Sequence, residues 1–313
     1  MKVCFIVNPA AGFGGFRKLV LNAIAHLTEL GCTIKRIETT APSDATQFAK
    51  QAVADGFEAV VAVGGDGTIN EVCNGLVHTE VALGVLPAGT ANAYAADMGI
   101  PIWWPLNPEA VNNAAEIVVT GQQRRVDLGH LKLANGTSRY FLMWSGIGLD
   151  AAISKARQDT PPQMRRLSYV SWLISGAMVI FDFMGTPATL TTDEGTVHKR
   201  ILVAVASNGQ LYGGVWRMAP EAKMDDGLLD IGVMVGHGWP ETIKHGLGLT
   251  LRQHVKDPNF QLTRTRRLSI SAKRPLHVHV DGETIGTTPI EIEVAPRALK
   301  VIIPQNAPAR LFV

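Results

Sequence analysis

Apolar positions in the first 130 residues fall into two interleaved patterns. Unbroken runs, KVCFIVNP from Lys2, AVVAVGG from Ala59 and LGVLP from Leu83, read as strands buried on both faces. Between them, apolar residues recur at helical spacing over Phe16–Leu30, Asp44–Asp55, Asp66–Leu76 and Ala91–Met98. TIKRIET alternates as a strand, and Ser43–Asp44 reads as the cap of the helix that follows it. Pro108 suits the first turn of a helix reaching Val119. This alternation predicts an α/β domain, Rossmann-like, with a mostly parallel sheet covered on both faces.

After Val126 the pattern changes. VDLGHLKL, RYFLMWSGIG, ATLTT, HKRILVAVAS, LLDIGVMVG, RRLSISA, HVHVDG, IEIEV and LKVIIP all read as strands separated by short polar turns. They predict an antiparallel, β-rich second domain with two helical inserts, Ala151–Arg157 and Arg166–Met184. The expected division is 1–126 and 127–313, the last residues packing back on the first domain.

Composition narrows the class. With 313 residues, 46% of them hydrophobic and 18% charged, the chain can fill two ordinary cores. Its net charge of +2 hides an acidic first part and a basic remainder, which suits an anionic surface or a phosphate-bearing partner; no nucleic-acid partner is expected. Cys4, Cys32 and Cys73 form no CxxC pair and no zinc spacing, and read as small buried hydrophobes. The longest apolar stretch, Leu167–Phe181, is short for a bilayer span, and the chain opens directly on a strand; a cytoplasmic protein is the expectation.

Three small-residue turns carry the chemistry. Gly64-Gly65-Asp66-Gly67-Thr68 stands where a buried strand gives way to a helix, so unpaired helix N-terminal amides meet a backbone without Cβ atoms. A bare carboxylate repels phosphate, so Asp66 fits there by helping to hold a metal ion or by orienting loop amides. Asn8-Pro9-Ala10-Ala11-Gly12, with Gly14 and Gly15, follows the first strand, and Leu86-Pro87-Ala88-Gly89-Thr90-Ala91-Asn92 follows the fourth. In a parallel sheet all three emerge at the carboxyl edge, where such folds bind ligands. No Walker-type lysine loop is present.

With GGDGTINEV, NPAAG and LPAGTAN together, the chain resembles the diacylglycerol kinase catalytic family, which includes bacterial lipid kinases and sphingosine kinases. SGIGLDA (145–151), GGVWRMAP (213–220), KMDDGLLD (223–230) and VDGE (280–283) extend the resemblance over nearly the whole chain. It implies ATP contacts from Asn8, Pro9, Gly12, Thr39, Gly64, Gly65, Asp66, Gly67, Thr68, Asn70, Glu71, Gly89, Thr90 and Asn92. It implies that Asp66 is catalytic and sits beside magnesium and the phosphates, and that Glu283 is the general base. It also implies a second, structural magnesium site from Asp226 with the carbonyls of Lys223 and Leu228. Read from residues alone, Asp225–Asp226–Gly227 and Asp281–Gly282 are first of all turns. Many family members carry Asp directly after GTxN, where this chain has Ala93; sphingoid-type members also carry Ala.

The function expected from this resemblance is ATP- and magnesium-dependent phosphorylation of a lipid hydroxyl, on diacylglycerol, a glycerophospholipid or a sphingoid base. Peripheral membrane contact and a homodimer are further expectations of the family. A soluble hydroxyl acceptor, or a nucleotide-binding regulator without catalysis, are the alternatives. His277 and His279 on one strand, the Trp103–Trp104 loop, the apolar 166–184 helix and the Arg264/Arg266 stripe each admit a substrate or membrane role; each also reads as ordinary packing or a solvated face.

Overall fold

The unbroken apolar runs become the centre of a parallel sheet. β1 (Lys2–Val7) lies between β2 (Thr33–Glu38) and β3 (Ala59–Gly64), and β3 pairs in turn with β4 (Ala82–Pro87). Both faces of β1 are covered. Val3 and Phe5 pack with Val20 of α1 (Phe16–Glu29) and Val111 of α5 (Ala110–Thr120); Cys4 and Ile6 pack with Ala49 of α2 (Asp44–Ala54) and Ile69 of α3 (Asp66–Leu76). The short α4 (Ala93–Met98) follows β4. The computed structural model describes residues 1–12, 16–104, 106–107, 109–159 and 183–313. Gly14, Gly15, Pro105, Pro108 and nearly all of the helix expected over 166–184 lie outside the described residues.

The second half is antiparallel throughout. β5 (Gln122–Leu133), β6 (Ser138–Phe141) and β7 (Trp144–Gly148) are followed by α6 (Leu149–Asp159), then by β8 (Thr186–Thr192) and β9 (Gly195–Ser207). The hairpin of β10 (Leu211–Tyr212) and β11 (Trp216–Arg217) leads to β12 (Leu229–Val235). Next come α7 (Gly238–Thr250), β13 (Phe260–Thr265), β14 (Arg267–Ala272), and the hairpin of β15 (His277–Val280) with β16 (Glu283–Thr287). β17 (Ile290–Ile303) is the last strand.

β17 joins the two halves. Its first residues pair with β14, its Val301 lies beside Leu83 of β4, and β5 runs antiparallel along its length. The 126/127 division expected from the pattern therefore falls inside one continuous strand, β5. A single apolar cluster also crosses it, from Ile6, Val60 and Tyr94 to Leu142, Leu202 and Met218.

Four local expectations are corrected. IEIEV and LKVIIP are one strand, bent by a register shift between Ala295 and Leu299 around Pro296 rather than broken there. RYFLMWSGIG is two strands, β6 and β7, because the amides of Leu142, Met143 and Trp144 turn aside to a buried carboxylate described below. Ser43 does not cap α2: it has φ 71° and no side-chain cap bond, and its own amide donates to Glu71. Helix α7 was not foreseen, since three glycines and two threonines dilute its pattern and its largest apolar residues point outward.

Buried Asp127 pins the bend of β17 to β5. Its carboxylate accepts the Arg297 amide at 2.7 Å and the Gly227 amide at 2.6 Å. Asp127→Ala strands both donors and should cost about 2–5 kcal/mol. Urea unfolding midpoints check this, with Asp127→Asn recovering part of the loss.

Candidate active site

At the carboxyl edge of the parallel strands the three turns lie against one another. The Asn8 side-chain amide donates to Thr68 Oγ1 at 3.1 Å while its oxygen accepts the Ala10 amide at 3.0 Å, which fixes the turn after β1 to the start of α3. Ala88 donates to the Gly64 carbonyl at 2.8 Å. Gly65 and Gly89 approach so closely that a Cβ on Gly89 would stand 2.5 Å from the Gly65 Cα. Here glycine is required for contact between loops. The Asn92 side chain closes the third turn by accepting from the Gly89 amide and donating to its carbonyl. Pro9, Gly12 and Thr90 are exposed around this edge, and the Thr39 amide donates to the Val7 carbonyl beside it. The first amides of α3 have no side-chain cap, which leaves them for an anion.

Two carboxylates face this edge. Asp66, in the first turn of α3, has its carboxyl pushed up to about 6 by burial; amide donors, Tyr94 at 3.4 Å among them, oppose the shift, and the Asp281 charge adds to it. Glu283, the first residue of β16, lies against α3: a Cβ on Gly67 would be 2.8 Å from Glu283 Oε1. Burial raises the Glu283 carboxyl and the Arg139 guanidinium, 2.8 Å away, holds it down.

Glu283 is placed by a network that sequence reasoning missed. Asp281 and Gly282 both have positive φ, 44° and 88°, and form the two-residue turn between β15 and β16. The buried Asp281 carboxylate accepts four donors: the Asn70 amide side chain at 2.7 Å and the backbone amides of Leu142, Met143 and Trp144 at 2.9, 3.0 and 3.0 Å. Asn70 also receives Arg139 Nε at 2.7 Å, so the chain Asp281–Asn70–Arg139–Glu283 closes on itself. Asp-Gly is legible as a turn; that its carboxylate is a buried anchor is not.

Asn70 and Glu71, expected among the nucleotide contacts, are engaged within the protein. Asn70 is 1% exposed, and Glu71 accepts the Ser43 and Ala45 amides at the start of α2. His279, read as a partly solvated strand residue, is buried: its Nε2 lies 2.9 Å from Asp150, which Tyr212 also engages. Trp103 packs on the first domain's core while Trp104 is exposed, and Arg264 pairs with Asp230.

Comparison with known proteins gives the family. The diacylglycerol kinase catalytic domain model matches residues 2–131, and the YegS C-terminal NAD kinase beta sandwich-like domain model matches 145–303. The chain belongs to the diacylglycerol kinase family. A diacylglycerol kinase of Mycobacterium tuberculosis is 30% identical over 97% of this chain and 96% of its own. The probable lipid kinase YegS of Shigella flexneri is 31% identical over 91% of each. A solved candidate diacylglycerol kinase of Bacillus anthracis shares the fold, with a TM-score of 0.77 and 24% identity over 97% of both chains.

In this diacylglycerol kinase fold the KMDDGLLD turn lies apart from the three loops, against β5 and the chain's last residues. Asp226 Oδ1 accepts the Leu228 amide at 3.0 Å, and the Lys223 ammonium donates to the Phe312 carbonyl at 2.8 Å. Burial raises the Asp127 carboxyl beside it, and the charges of Asp226 and Asp225 push it further. This crowding of carboxylates at an oxygen-rich turn fits a hard cation. Among the described residues no group of three or more His, Cys, Asp or Glu side chains is arranged as a metal cage, so such an ion would depend on backbone carbonyls as well.

Two pH effects follow. The Asp66 carboxyl is raised from 3.8 to about 6, so its protonated form stabilises the fold below the lower value and that stability is lost as pH rises through the higher. The thermal midpoint of the ligand-free protein should therefore fall relative to Asp66→Asn between those pH values and stay constant above them. At Glu283, Arg139→Gln removes the charge that lowers the carboxyl, so the acid limb of the kcat/KM profile should move to higher pH.

Proposed function

We propose that the protein transfers the γ-phosphoryl group of ATP to the hydroxyl of a lipid, with diacylglycerol, glycerophospholipids and sphingoid bases as the acceptor classes. The observation that carries this reading is the seat of Glu283. It places a carboxylate on the first turn of α3, where uncapped amides and apposed glycines form a cradle for phosphate.

Glu283 takes the proton of the acceptor hydroxyl as that oxygen bonds to the γ-phosphorus; the bond from phosphorus to the β–γ bridging oxygen breaks and ADP leaves. The proton then passes from Glu283 to water. Arg139 opposes the burial that raises the Glu283 carboxyl, and Asn70 fixes the guanidinium. The amides of Gly67 and Thr68 stabilise charge on phosphate oxygens. Asp66 fits a divalent ion, because burial and the Asp281 charge raise its carboxyl and a cation beside it would favour the charged form. Magnesium bound there would neutralise phosphate charge; Asp226, with the Lys223 and Leu228 carbonyls, would hold a second, structural ion. Ala93 is fully buried, so any positioning that a carboxylate gives in other members must come here from elsewhere in the site.

The test is transfer of ³²P from γ-labelled ATP into a mixed lipid extract with magnesium. Labelled lipid is expected from wild type, with a loss of about 10²-fold or more in Glu283→Gln and in Asp66→Asn. ATP binding with no labelled lipid, and label instead in a water-soluble product, would overturn the lipid acceptor.

A further inference from the structure

Fifteen large apolar side chains are exposed among the described residues, and seven of them gather on one face of the second domain. Helix α7 supplies Trp239, Ile243, Leu247 and, just past its end, Leu251, spaced four apart along one winding stripe. Leu247 is 58% exposed and Leu251 65%. The inward face holds the helix by other means: buried Leu249, and buried His245, whose Nε2 meets the Val235 carbonyl at 3.0 Å.

The stripe is extended at both ends. Met184 packs beside Gly238 at the start of α7, and Val255 stands in the short helical turn that packs on it. Val215, 72% exposed, tips the β10–β11 hairpin next to Trp216, whose indole donates to Thr250 at 3.2 Å. That hairpin reaches the active site, since Gly214 is pressed against the Ala91 carbonyl and Ala93. The apolar face is thus continuous with the rim of the phosphate-binding loops.

We infer that this face, built on α7 and the β10–β11 hairpin, docks the enzyme on an anionic lipid bilayer. The assignment of its occupant rests on the lipid-kinase reading, because a lipid acceptor reaches the site from a membrane. Charge favours the same occupant. Lys244, Arg252 and Lys256 border the stripe, with Lys244 held at 2.9 Å by the largely buried Asp257, and Glu241 is the acidic residue of the first turn. Cations beside a tryptophan-bearing apolar stripe match headgroup phosphates over acyl chains. Across a twofold between copies of this chain the same cations would confront one another. Among the described residues no helix is long and apolar enough to cross a membrane, so contact on this face is interfacial.

The experiment is sedimentation of the full chain with vesicles of phosphatidylcholine, with and without phosphatidylglycerol, comparing wild type with Ile243→Asp/Leu247→Asp. Wild type should bind the anionic vesicles, and the double variant should bind about ten- to a hundredfold more weakly. Thermal midpoint and turnover of a short-chain acceptor dispersed below its micelle concentration should be unchanged, because both side chains are exposed on α7, a helix that carries none of the site residues. Leu21→Asp, on the first domain, should sediment as wild type does. Failure of wild type to bind, or equal binding by the double variant, overturns the inference. So does a wild-type dimer that the double variant converts to monomer, which would give the face to a second copy. Vesicle binding needs no catalysis, so absence of lipid phosphorylation would fail the functional reading while leaving the surface standing.

Discussion

The site depends on one buried carboxylate. Asp281 sits at the tip of a hairpin in the second domain, yet one of its four donors comes from α3 in the first, and the other three are backbone amides of the β6–β7 bend. An anion held this way is tolerated only because every donor is aimed at it; removing one leaves charge in a medium that cannot solvate it. These hydrogen bonds act together with the β7–β15 pairing and the Arg139–Glu283 ion pair to bring Glu283 to within contact of Gly67.

Such placements explain what was and was not legible in the sequence. Strands β1, β3 and β4 could be read directly because burial on both faces leaves continuous apolar runs, and glycine-rich turns mark where they end. The β-rich texture after Val126 was equally clear. What could not be read were the long-range polar partners. Nothing local shows that Asn70, one residue of a helical run, meets Asp281, or that Arg139 in a strand meets Glu283. Ser43 looked like a cap and Glu71 did the capping, because the competing acceptor lay on a neighbouring helix. Helix α7 escaped for the opposite reason: its apolar periodicity describes a surface rather than a core.

The site also sets stability against function. Asp66 lies where burial disfavours its charged form, and the Asp281 anion adds to the penalty. The first amides of α3, the helix that Asp66 begins, have no side-chain cap, so a positive helix end and a carboxylate raised by burial lie together. On the proposed function, an anionic phosphate accompanied by a cation would relieve both, and substrate binding would complete electrostatics that the folded chain leaves unfinished.

β17 has a further consequence, for the order in which the protein can be made. The strand flanking β4 lies more than two hundred residues later in the chain, and β5 finds its long partner only when that strand is present. During synthesis the N-terminal segment can assemble its four parallel strands, but their growing edge and the apolar face shared with the second half stay open until residue 303 has emerged. A nascent chain so exposed for most of its translation should lean on chaperones, and truncation before β17 should yield aggregate rather than an isolated catalytic half.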